Sequence, residues 1–180
     1  KKFHRWLAPI LTGVAAVAFA APASAAPFAI PSEHATPVFY LAVGASESVG
    51  VMPTVNAPKG QKTDLGYVNG VAAALSAQGY DVTTYQAGCP GLSAVAALTG
   101  ARCNGDGLSS LQRAINFLGS HVSDRVIVTF DLGFNDLRQC RAAEFQNPVC
   151  ASKAASQAGG AVATIIQSLQ SVAGPNTSFY

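Results

Sequence analysis

Three short stretches hold residue types that could do chemistry together: "VGASES" with Ser46, "GCPGLS" with Gly91, and "GFND" with Asn135 and Asp136. A serine hydroxyl is a weak nucleophile at its ordinary pKa and needs an activating base. It also needs donors aimed at the oxygen that becomes an oxyanion during acyl transfer. The Ser46 N–H, the Gly91 N–H and the Asn135 side-chain amide would supply three such donors if the fold brings them to one place. Glycine at position 91 suits a backbone that must approach a substrate closely. A serine after a strand commonly serves as a turn or helix-cap residue instead, so the reading depends on what surrounds it. Asp136 suits a structural task, accepting backbone N–H groups of a neighbouring loop.

Those stretches follow elements that can be read from periodicity. "PVFYLAV" reads as a first strand, and Gly44 ends it. "TDLGYVNGVAAALSAQGY" reads as a helix with Leu65, Val68, Ala72 and Leu75 on one face and Gly79 as its stop. "DVTTYQA" is a second strand, and residues 88–107 form a Gly- and Cys-containing loop. "LSSLQRAINFLGSH" spaces Leu108, Leu111, Ile115 and Leu118 as a helix, and "RVIVTFD" is a near-continuous apolar run suited to a central strand. After a loop over 132–150, residues 151–174 place Val162, Ile165, Ile166, Leu169 and Val172 on one helical stripe. Gly159 and Gly160 weaken its middle by about 1 kcal/mol each relative to alanine. "TSFY" begins another strand. The alternation implies an α/β fold with a parallel sheet, right-handed crossovers and helices on both faces. A 2-1-3-4 strand order would set the loops after the first and third strands at the switch point, with Ser46 facing Asn135.

The chain's 180 residues begin with Lys1, Lys2 and Arg5, an apolar stretch to Ala21 and a small-x-small site at Ala23-Ser24-Ala25. Residues 1–25 therefore read as a secretory signal peptide and 26–37 as a Pro-rich lead-in to the domain at 38–180. The apolar stretch, broken by Pro9 and Gly13, is too short for a stable membrane span. Three of the 11 basic residues lie in that segment, leaving eight against nine acidic ones. No basic stripe remains, which argues against nucleic acid as a partner. Cys89, Cys103, Cys140 and Cys150 all lie in the exported part, an even count that suits two disulfides in a secreted protein. Three pairings are formally possible, and sequence-near pairing would staple two separate loops. No spacing fits a zinc site, a phosphate-binding loop or the G-x-S-x-G elbow, so neither a metal nor a cofactor is expected. Tyr40, Tyr67 and Tyr80 read as packing residues.

"YLAVGASESVG", "GCPGLS" and "DLGFNDL" resemble the first three signature blocks of the SGNH, or GDSL, hydrolase family. The loop cysteines resemble those of its secreted bacterial esterases and lipases. The resemblance runs from about Val38 to Ser178 and implies a flavodoxin-like three-layer α/β/α fold. It also implies metal-free hydrolysis of carboxylic esters, with a small molecule or lipid as substrate. On it, Ser46 matches the nucleophile, and Ser46, Gly91 and Asn135 match the oxyanion hole. Ala45 stands where the family usually has Asp. The family's Asp-x-x-His block, which supplies the base, does not occur in the chain. The expectation is therefore an incomplete domain, inactive or unstable by itself, lacking its catalytic His and Asp. A secreted binding module that kept the fold without catalysis is the alternative. His34 and His121 read as solvent-exposed histidines away from the carboxyl edge of the sheet.

Overall fold

The structure, a computed structural model, describes residues 35–58, 60–100, 103, 105–138, 140 and 148–180. The stretch read above as a signal peptide, most of the expected lead-in, His4 and His34 lie outside them. Strand β1 (Thr36–Gly44) is followed by a two-stranded antiparallel hairpin, β2 (Val51–Met52) and β3 (Gln61–Lys62). Then come α1 (Tyr67–Ala77), β4 (Tyr80–Gln86), α2 (Ala94–Thr99) and α3 (Ser110–Ser120). The chain continues through β5 (Val126–Asp131), the short α4 (Phe134–Leu137), α5 (Pro148–Gln170) and β6 (Thr177–Phe179).

The main sheet is parallel throughout in the order β4-β1-β5-β6, which is the 2-1-3-4 order expected of its four strands. Strand β1 is central, and successive residues alternate between faces as the pleat requires. Leu41 and Val43 pack with Ala114, Leu118, Ile165 and Leu169 on the side of α3 and α5. Tyr40 and Ala42 pack with Val68 of α1 on the other side. Helices thus cover both faces, giving three layers. Among the described residues, no helix is long and apolar enough to cross a membrane.

Several local readings shift. Leu65 precedes α1 and is 73% exposed, because the helix starts only at Tyr67 and buries Val68. Leu108 likewise lies ahead of α3 and is exposed. The loop after β4 contains α2, six Ala-rich residues with no visible period. Its Ser93 side chain accepts from Ala96 N–H and Gly100 closes it in the left-handed conformation, a cap at each end. The stripe on α5 is carried by Ala158, Ala161, Ile165 and Leu169, with Val162 and Ile166 only half-buried. Alanines complete that face because α2 packs against α5 through small residues of its own. The hairpin β2–β3 is too short to leave an alternating pattern.

The disulfides are Cys89–Cys103 and Cys140–Cys150, the sequence-near pairing. One closes the loop around α2, and the other joins the segment after α4 to the first turn of α5. Restricting the unfolded chain in this way typically contributes about 2–4 kcal/mol per bridge.

Leu41 is fully buried at the centre of β1, so Leu41→Ala should cost about 2–5 kcal/mol in urea unfolding. A loss well below 1 kcal/mol would mean the core is not built on this strand. Gly159 lies on the exposed side of α5, where an added Cβ meets nothing within 4 Å. Gly159→Ala should therefore raise stability by about 0.5–1 kcal/mol, and a destabilised variant would contradict the helix there.

Candidate functional site

Strand β1 ends against β5 with Gly44 opposite Asp131. A side chain at Gly44 would overlap the Asp131 carboxylate and the Ser48 hydroxyl. A side chain at Gly88 would overlap the Gly44 backbone. Two glycines thus allow three segments to meet at the carboxyl end of the sheet. The turn that leaves there, Ala45 to Gly50, is fixed from inside. Ala45 N–H donates to Asp131 Oδ1 at 2.7 Å and Ser48 N–H to Oδ2 at 3.0 Å. The Ser48 hydroxyl donates to the Ala45 carbonyl at 2.9 Å, and Gln86 Nε2 donates to the Ser48 carbonyl at 2.8 Å.

Ser46 stands between the two N–H groups that Asp131 accepts, and it is half-buried. Its hydroxyl and its N–H have no hydrogen-bond partner among the described residues. Ser46 and Asn135 line one cleft of about 520 Å³, whose walls include Phe134, Pro53, Pro58 and Arg138. The expected meeting of the loops after the first and third parallel strands is therefore present. Asn135 Nδ2 donates one hydrogen to the Leu92 carbonyl at 3.1 Å, and a primary amide has a second to offer.

Gly91 is less directly involved. It sits exposed in the turn before Leu92 with φ 79°, a left-handed conformation that glycine adopts without strain. It does not line the Ser46 cleft. Its neighbours Gly88, Cys89 and Pro90 line a separate cleft of about 490 Å³ with Ser48, Gln86 and Lys62. The link from Gly91 to Asn135 runs through the Leu92 carbonyl.

Asp136 does the structural work expected of it. It is buried, and its two oxygens accept Ala94 N–H at 2.7 Å and Val95 N–H at 3.1 Å, the first turn of α2. His121, the one histidine among the described residues, is not the solvated residue that its loop position implied. Its ring lies 3.9 Å from the Phe39 ring and 4.5 Å from that of Phe117, centre to centre, with Nδ1 2.7 Å from Asp124 Oδ2. Phe39 is five residues before Gly44 on β1, about 17 Å of strand, so His121 is at the opposite end of the sheet from Ser46.

The residue that sequence reasoning missed is Asp131. Burial pushes its carboxyl up to about 6, against the two N–H groups that favour its charge and helped by the nearby negative Glu47. Beside it, the Tyr40 and Tyr67 hydroxyls lie 3.0 and 3.2 Å from the Thr129 hydroxyl. Burial is the main reason both phenols are raised, Tyr67 to about 12. Tyr80 packs under Arg125, 5.0 Å from ring centre to guanidinium carbon. No group of three or more His, Cys, Asp or Glu residues placed to hold a metal occurs among the described residues.

No protein-family model matches the chain, and no curated protein matches it. The chain is similar to two solved structures. One is Est24, a carbohydrate acetylesterase from Sinorhizobium meliloti, at 18% identity and a TM-score of 0.42, over 78% of this chain and 61% of that one. The other is TesA, at 21% identity and a TM-score of 0.35, over 74% of this chain and 69% of that one. This chain thus spans less than two thirds of the acetylesterase's length.

The raised Asp131 carboxyl has a definite sign. Because folding raises its affinity for a proton, its contribution to stability is complete below its ordinary value of 3.8 and is lost as pH rises through about 6. Urea midpoints of wild type and Asp131→Ala at pH 4, 6 and 8 should therefore show the wild type gaining on the variant toward pH 4. The opposite slope would contradict a desolvated carboxylate.

Proposed function

We propose that this domain is a secreted serine ester hydrolase in which Ser46 attacks the carbonyl of a carboxylic ester. The observation that carries the reading is the shared cleft of Ser46 and Asn135 at the carboxyl end of the sheet. The resemblance of their three sequence blocks to the SGNH family supports it, and the two disulfides suit an oxidising compartment. On this reading, an acyl-serine forms through a tetrahedral intermediate whose oxyanion is met by the Ser46 N–H and the free Asn135 amide hydrogen. By the family resemblance Gly91 is the third donor, although it does not line the Ser46 cleft. The alcohol leaves, and water then releases the acid. The base is not among the described residues, since His121 is at the far end of the sheet.

The test uses protein made from the complete reading frame. A fluorophosphonate should label Ser46, and p-nitrophenyl acetate should be hydrolysed. Ser46→Ala should lose the label and fall to background hydrolysis. Asn135→Ala should lower kcat by about 10²–10³. Ester hydrolysis undiminished in Ser46→Ala would sink the assignment.

A further inference from the structure

The turn that carries Ser46 is held by one carboxylate from another strand, and the hold depends on that carboxylate having two oxygens free to accept. We propose that Asp131 is a positioning residue for Ser46, a latch that keeps the turn in its working shape only while its carboxyl is ionised. The inference rests on Ser46 being the nucleophile, and it adds a pH-governed step that the nucleophile alone does not have.

The argument starts from the donors. The turn presents four consecutive N–H groups, from Ala45 to Ser48. Asp131 takes the first and the last, one on each oxygen. Ser46 N–H stays unpartnered among the described residues and available to an oxyanion. Gly44 has no side chain where the carboxylate sits, so the contact is built into the backbone rather than made by a mobile surface group. An ionised carboxylate accepts on both oxygens, whereas a protonated one turns one oxygen into a donor. Protonation therefore weakens one of the two bonds and lets one end of the turn go.

The groups facing Asp131 set where this happens. Burial is the largest influence and opposes its ionisation, Glu47 on the turn opposes it further, and the Ala45 and Ser48 N–H groups favour it. The phenols of Tyr40 on β1 and Tyr67 on α1, themselves raised in part by the Asp131 charge, face it as well. Together they bring the carboxyl to about 6, inside the range where an exported protein meets changing pH. Stability and function then run in opposite directions. Acid relieves the buried charge and favours the fold, while it releases the turn. A merely structural carboxylate would move both together.

The measurement follows the amide resonances of Ala45 and Ser48 in 15N-labelled protein between pH 4 and 8. Fluorophosphonate labelling of Ser46 is followed in wild type and Asp131→Asn at pH 8. Both amides should titrate with a shared midpoint near 6 in wild type and lose that transition in the variant. Labelling should slow by about 10–100-fold in the variant. Amides that stay flat between pH 5 and 7 in wild type overturn the latch. So does a folded Asp131→Asn protein that labels at the wild-type rate. If the amides titrate but wild-type Ser46 takes no label, the hydrolase reading fails and the hold on the turn stands.

Discussion

A carboxylate placed where a side chain is missing organises this end of the molecule. The register of β1 against β5 sets Gly44 opposite Asp131, and the absent Cβ leaves room for the carboxylate to reach under the turn. Gly88 repeats the device from the other side, letting the loop after β4 press against the Gly44 backbone. Had either glycine carried a side chain, the strand end, the turn and the loop could not occupy the same space. The cleft would then have no Ser46 in it.

The segment from β5 into α4 holds two neighbouring segments of the chain. Asp131 accepts two N–H groups from the turn after β1, and Asp136 accepts two from the first turn of α2. Asn135 lies between them, with one amide hydrogen on the Leu92 carbonyl. Two carboxylates thus hold two separate segments, the turn after β1 and the start of α2. They differ in setting. Asp136 meets the first turn of α2 and is itself buried. Asp131 meets a turn beside Glu47, and burial opposes its ionisation.

The parallel sheet was legible because its strands read as short apolar runs and α1, α3 and α5 carried a helical period, and the loops at the switch point follow from strand order. That Ser46 and Asn135 share a cleft was legible for a related reason, since each lies a few residues past the end of neighbouring strands, with Gly44 and Gly133 two residues before them. Asp136 could be read as a loop anchor because a carboxylate after Asn135 has little else to do. Asp131 could not. As the last residue of an apolar strand it looks like a solvated end, and its partners are 83 and 86 residues away. Nor does spacing reveal that α2 is a helix, although Ser93 and Gly100 bracket it as caps and were the signal available. The setting of His121 between Phe39 and Phe117 depends on β1 and α3 meeting, which no local pattern contains.

The separation between Ala45 and Asp131 also orders events in time. A ribosome adding about 5–20 residues per second needs roughly 4–17 s to go from the turn to its acceptor. Until β5 is available, β1 has only β4 as a parallel neighbour, and the turn has nothing to hang from. The nascent chain therefore holds a completed strand with one hydrogen-bonding edge still open. The residues first in sequence at the site are among the last to take their final shape, and whatever shields that edge in the interval is part of how this protein is made.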